Sequence, residues 1–226
     1  RRSALASLIS FVALNIATLL TTAQTARADA WFPTRPMSGS RCEGAAVLLA
    51  NGKFFVTGGS GCPSTATNTA EIYDPSSDTW FSAAPMTSRR GGHTATLLPD
   101  GQVLVAGGYL EDSRFGIWLA SAEIYNPTTD TWSAAAPMSV SRSYHTATAL
   151  TDGRVLVYGG GSATWQIFDP GSGTWSAPVA TAVNRSQHTA TRMNNGRVLI
   201  TGGPGNASAE IFDPVTNSIL PSCTSP

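Results

Sequence analysis

The chain has 226 residues, 42% of them hydrophobic and only 12% charged, with 22 Gly, 14 Pro and a formal net charge of zero. That length and turn-rich composition suit one domain with a sizeable core and an all-β fold. No basic run is longer than a pair (Arg1-Arg2, Arg89-Arg90), so the electrostatic footprint of a nucleic-acid partner is missing.

Residues 1–30 stand apart. Arg1-Arg2, the apolar Leu8–Leu20 and Ala26-Arg-Ala-Asp-Ala30 read as the basic, apolar and cleavage regions of a secretory signal peptide. The apolar run is shorter than the ~20 residues a membrane-spanning helix needs. Cleavage after Ala28 or Ala30, a secreted or periplasmic location and no stable membrane span after cleavage are therefore expected. Trp31-Phe-Pro-Thr-Arg-Pro-Met37 matches Trp80–Met86 and Trp132–Met138. It reads as an outermost strand that can complete the last repeat and remove an exposed edge.

From there the chain is repetitive. The first glycine of a pair falls at Gly58, Gly107, Gly159 and Gly202, so successive copies are offset by 49, 52 and 43 residues. An arginine lies 17 residues before each pair, at Arg41, Arg90, Arg142 and Arg185, and a turn glycine lies six before it. After each pair comes Tyr73-Asp-Pro, Tyr125-Asn-Pro, Phe168-Asp-Pro or Phe212-Asp-Pro, and then Trp80, Trp132, Trp175 or Ile219. A period of that length marks a radial array of β units. Within one unit, Thr146–Leu150 and Arg154–Tyr158 are β-forming runs split by Asp152-Gly153, the signal of a tight hairpin whose two central residues both take positive φ. A third strand at Gln166–Phe168 stops at Asp-Pro, because proline has no ladder donor, and a fourth carries the tryptophan. The units span about 38–80, 87–132, 139–175 and 182–220 within a repeat region of 31–220, followed by a tail, 221–226.

The order Arg, His, Asp-Gly, Gly-Gly, (Tyr/Phe)-(Asp/Asn)-Pro and Thr-Trp resembles the Kelch repeat of β-propellers. The resemblance implies an all-β Kelch-type β-propeller with four recognisable four-stranded blades, closed as four or part of a larger ring. It also implies a binding module for a protein or carbohydrate ligand rather than an enzyme. On such a fold the glycine-pair loops Ser60–Ala70, Tyr109–Ala122, Gly161–Trp165 and Pro204–Ala209 share one side and vary in length, the arrangement of a binding surface. Tyr109, Arg114, Phe115 and Trp118 in the longest loop are of types common at interface hot spots. Arg41, Arg90, Arg142 and Arg185 open the inner strands on the same side. They would either present a cationic rim to a ligand carboxylate or fix the repeat by donating to loop carbonyls.

Other candidate chemistry is sparse. Cys42 and Cys62 sum to 104, close to the 103–104 set by a hairpin centred on Asn51-Gly52, so they are expected to face each other and form a disulfide; Cys223 is left in the tail. His93, His145 and His188 recur at one repeat position, where the first copy has Gly44. Metal ligation needs three rings to converge on one ion at ~2.1 Å, whereas repetition places one in each blade as a local hydrogen-bonding partner, so no cofactor is expected. An alternative comes from Arg142-Ser-Tyr-His145, which resembles a segment of galactose oxidase-type copper-radical oxidases. That resemblance implies Tyr144 and His145 as copper ligands, but the residues for a Cys–Tyr crosslink are missing. Glu71, Glu123 and Glu210, with Gln166 in the third copy, are expected to pair with the repeat arginines.

Overall fold

The computed structural model describes residues 33–61, 65–110 and 117–220. The segment read as a signal peptide, Trp31-Phe32 and the tail lie outside the described residues; Pro33–Met37, the rest of the segment read as an outermost strand, is described and forms no strand. The chain divides at Thr34/Arg35, and the repeats lie in the unit that begins at Arg35. Among the described residues no helix is long and apolar enough to cross a membrane.

Each repeat folds into one antiparallel sheet, or blade, in simple strand order. Blade 1 holds β1 (Ala45–Leu48), β2 (Phe54–Thr57), β3 (Ala70–Asp74) and β4 (Thr79–Ala83). Blade 2 holds β5 (Thr94–Leu97), β6 (Val103–Ala106), β7 (Ala122–Asn126) and β8 (Thr131–Ala135). Blade 3 holds β9 (Thr146–Ala149), β10 (Val155–Tyr158), β11 (Thr164–Asp169) and β12 (Thr174–Trp175), with β13 (Val179–Ala180) added alongside β11. Blade 4 holds β14 (Thr189–Arg192), β15 (Val198–Thr201), β16 (Ala209–Asp213) and β17 (Ser218–Leu220). The first strands neighbour one another in the order β1, β5, β9, β14.

The first hairpin is wider than expected. Gly52, Gly101, Gly153 and Gly196 have positive φ, but the preceding Asn or Asp does not. Gly52 N–H donates to the Leu49 carbonyl, and Leu49 N–H to Lys53. This is a type I turn closed by a glycine bulge, a three-residue loop. The side chains of Asn51, Asp100, Asp152 and Asn195 each accept the N–H two residues on, which is what favours Asx at this place. The extra loop residue moves the register: Ala45 pairs with Thr57 and Cys42 with Ser60. Cys42 therefore does not sit directly opposite position 62, and Cys62 itself lies outside the described residues.

The second hairpin carries a covariation. Asp78, Asp130, Gly173 and Asn217 adopt positive φ at its close. Where the residue is Asp, its carboxylate accepts the hydroxyl of Tyr73 (2.9 Å) or Tyr125 (2.7 Å). Where it is Gly or Asn, the aromatic is Phe168 or Phe212, so no buried hydroxyl is left without an acceptor. Each fourth-strand tryptophan donates its indole N–H to the linker entering its own blade: Trp80 to Arg35, Trp132 to Ala84 and Trp175 to Ala136, at 2.7–2.8 Å. Blade 3 departs most from the pattern, because its fourth strand breaks after two residues. Trp165 stands where blades 1 and 2 have Ala70 and Ala122, pairs with Val179 and meets Phe212 edge-on.

The core lies between blades. Phe55 and Ala70 of blade 1 pack on Val103, Val105 and Tyr125 of blade 2. Leu104 and Ala122 of blade 2 pack on Val155, Val157 and Phe168 of blade 3. Leu156 and Ile167 of blade 3 pack on Val198, Ile200 and Phe212 of blade 4. Apolar residues on both faces of the middle blades explain why β6 and β10 read as unbroken apolar runs, buried throughout.

Candidate functional site

The side of the sheets that holds the β2–β3 loops also holds the linkers between blades. Met86 N–H in one linker donates to Asn68 in the adjoining loop, and Arg90 N–H donates to Thr67. The asparagine turns and the Asp-Pro turns occupy the opposite side.

The 17-residue spacing is a bond. Arg41, Arg90, Arg142 and Arg185 each donate Nη1 to the carbonyl of Gly58, Gly107, Gly159 or Gly202, at 2.7–2.9 Å. Three of them add a carboxylate: Glu71 at 2.8 Å, Glu123 at 2.9 Å and Glu210 at 3.0 Å. Burial pushes the Glu71 and Glu123 carboxyls up, but linker N–H groups and the guanidinium outweigh it and hold both below the ordinary carboxylate range. Blade 3 lacks this pair. Arg142 and Gln166 are fully buried, and Arg142 Nε and Gln166 Oε1 have no partner among the described residues. Burial alone lowers Arg142 to about 10. The arginines thus lie inside the blades as donors to loop carbonyls, and they form no cationic rim.

The histidines bond across blades rather than locally. His93 Nε2 meets Thr57 Oγ1 at 2.8 Å, His145 meets Thr94 at 3.0 Å and His188 meets Thr146 at 2.9 Å. Each Nδ1 is buried with no partner among the described residues. A buried N–H without an acceptor is rarer and costlier than a bare lone pair, which assigns the proton to Nε2. Burial first, then the neighbouring arginine, pushes His93 and His145 down to about 3 and His188 to about 4. No three metal-binding side chains converge among the described residues.

The residue before each histidine position (Glu43, Gly92, Tyr144, Gln187) has positive φ. These residues link the blades through their backbones: Gly92 N–H donates to Glu43, Tyr144 to Gly92 and Gln187 to Tyr144, at 2.8–2.9 Å. Repetition revealed the histidines but not this ladder, because its residue types share nothing but the backbone conformation. Tyr109 belongs to the same region. It is buried, donates its hydroxyl to Glu43 and packs against Tyr144. Burial and the Glu43 carboxylate hold its phenol well above its ordinary value. Tyr109 is thus held inside the scaffold rather than presented at the surface.

Trp118 lies differently. It pairs with Tyr109 in an isolated bridge, and its ring covers Gly161 of blade 3 so closely that a Cβ there would overlap it. It is still 36% exposed, and Ile117 beside it is 68% exposed. Leu110 N–H donates to Ile117 and closes the base of the loop. Arg114 and Phe115, at its tip, lie outside the described residues.

The Kelch motif matches residues 41–87 and 89–139, which hold blades 1 and 2 with their linkers. No curated protein matches the chain.

Proposed function

Residues 41–139 are Kelch motif repeats, and from that premise we propose that this chain is a binding module for a protein or glycan, its partner contacted by the variable loops beside the glycine pairs. Kelch domains generally bind proteins, but a fold leaves the ligand open, so the reading rests on one observation. On a side where the arginines, the histidines and Tyr109 are all consumed by the scaffold, Ile117 and Trp118 remain exposed together. An exposed aromatic beside an aliphatic, in a loop whose base is closed by hydrogen bonds, is a common anchor of an interface. The sequence of residues 1–30 supports export to a secreted or periplasmic location. In that compartment Cys42 and Cys62 form a disulfide, which ties the β2–β3 loop of blade 1 to the start of β1. The copper alternative gains no supporting observation.

Replacing Arg114, Phe115 and Trp118 together by Ala tests the reading. Capture of a partner from native medium, or binding to a glycan array, is lost. The thermal midpoint falls by no more than ~2–4 °C, the effect of about 1 kcal/mol in a domain of this size, because the contact on Gly161 is given up. Retained capture, or a fall of many degrees, places the binding surface elsewhere.

A further inference from the structure

Blade 3 differs from its neighbours where its fourth strand should continue, and the difference opens a pocket. In blades 1 and 2 the third and fourth strands pair in one register from end to end. In blade 3, β12 stops after Trp175, and pairing resumes between Val179 and Trp165, one residue later than that register would place it. The skipped residue makes a bulge, which re-aims side chains at the edge of a sheet. Ser176 holds it in place: its N–H donates to the Ile167 carbonyl at 2.8 Å, and its hydroxyl accepts the Ile167 N–H at 3.0 Å. Blade 4 adds a second departure. Where Trp132 and Trp175 pack against the core between the preceding blades, it has the smaller Ile219. Beside these departures lies a cavity of about 420 Å³ whose apolar lining includes Trp165, Ile167, Trp175 and Val179, with Asp169 and Asn217 among its polar residues. That size is ordinary for a small-molecule site.

The pocket also holds a carboxylate without a cation. The residue after each turn glycine faces the last residue of the third strand. This pairs Lys53 with Asp74 in blade 1 and Arg197 with Asp213 in blade 4, both at 3.0 Å. Blade 2 has the uncharged Gln102 and Asn126 there. Blade 3 has Arg154 and Asp169, but Arg154 is drawn away: it pairs with Asp152 at 2.7 Å and donates to the Pro214 carbonyl of blade 4 at 3.1 Å. The Asp169 carboxylate accepts the Gly171 N–H through Oδ1 and meets no cation among the described residues. Trp165, Ile167 and Asp169 alternate along β11 and so share one face, which places the charge beside the apolar lining.

We infer that this pocket binds a small organic cation, an ammonium group on an aromatic or aliphatic body. Such a ligand matches both features at once. Its charge answers the Asp169 carboxylate and is attracted to the negative face of an indole, while its body covers apolar surface on Ile167, Val179 and the tryptophans. A neutral ligand leaves the carboxylate unanswered, and an anion is repelled by it. Arg154 does not reverse this, because Asp152 neutralises it. The inference does not depend on which partner the loops bind, since Ile117 and Trp118 line no part of the pocket.

Isothermal titration calorimetry with phenethylammonium tests it, beside two probes of similar shape, neutral phenethyl alcohol and anionic phenylacetate. Phenethylammonium binds saturably, and the other two bind at least about tenfold more weakly or not at all, as the loss of one charge-assisted interaction requires. Asp169→Asn removes the charge and keeps the turn, since Asn126 in blade 2 accepts the N–H two residues on in the same way, at 2.9 Å. It weakens phenethylammonium binding about tenfold. Val179→Lys, at a side chain already 43% exposed, sets a cation at the pocket and abolishes binding. Both variants keep the thermal midpoint of the wild type, so the losses are local. No saturation by ~10 mM phenethylammonium, equal affinity for the alcohol, or an affinity unchanged by Asp169→Asn each overturns the inference.

Discussion

Blade 3 carries a buried arginine without its carboxylate, and Gln166→Glu supplies it. In blades 1 and 2 the equivalent glutamate accepts the guanidinium and one or two linker N–H groups. In blade 3 the Gln166 amide instead donates to Ser139 Oγ at 3.3 Å and to the Ser176 carbonyl at 2.9 Å. The substitution gives up the Ser176 bond, worth about 1 kcal/mol, and gains charge-assisted bonds to Arg142 of about 1.5–3 kcal/mol each. It also desolvates a carboxylate, at a cost of several kcal/mol that pairing with a charge already buried offsets. The net expectation is a gain of about 2 kcal/mol, or about 4–8 °C in a domain of this size. The gain is pH-dependent. The Glu71 and Glu123 carboxyls lie below their ordinary value in the fold, and the carboxyl introduced in blade 3 should follow. A depressed carboxyl contributes fully above its unfolded pKa, ~4.3, and loses the contribution as pH falls through its folded value. Thermal unfolding at pH 7 and in a series toward pH 3 measures both. A midpoint unchanged or lowered at pH 7, or a gain that does not shrink toward acid, refutes the reasoning.

Two further outcomes follow from the inter-blade contacts. The three histidines are neutral in the fold at about 3, 3 and 4 and must charge on unfolding, so their contribution is complete above the unfolded value of ~6.5 and is lost as pH falls toward the folded values. Denaturant melts should therefore show stability falling between pH 7 and 4 by up to about 2 kcal/mol per histidine at pH 5, and His145→Gln should remove about a third of that slope; a flat profile contradicts the burial. Gly107→Ala drives a Cβ to 2.6 Å from the Arg142 carbonyl, whereas Gly202→Ala meets only the backbone strain of its φ of 79°. The first should cost at least ~3 kcal/mol and the second ~1–2 kcal/mol when single chains are compared in denaturant. Equal costs would mean that the glycine pair serves backbone conformation alone.

Much of this architecture was legible in the sequence because its bonds stay within a repeat. The 17-residue interval is the reach from each linker arginine to the carbonyl of its own glycine pair, and the glutamate facing it lies in the same blade at a fixed register. Tyr with Asp in two copies, and Phe with Gly or Asn in the others, records a hydrogen bond five residues long. What crosses between blades was not legible. His93 meets Thr57 at the end of a second strand, whereas His145 and His188 meet Thr94 and Thr146 at the start of first strands, so repetition could mark each histidine but not name its threonine. Tyr109 has the composition of an interface residue, yet the fold lays it on Tyr144 and Glu43, which come from two other blades. The hairpin register turned on one backbone angle, since Asn51 keeps negative φ and adds a third loop residue, and that single step moved Ser60 rather than Cys62 opposite Cys42. Sequence spacing determines partners joined by a constant length of chain; where a variable loop intervenes, only the packing of one blade on the next decides them.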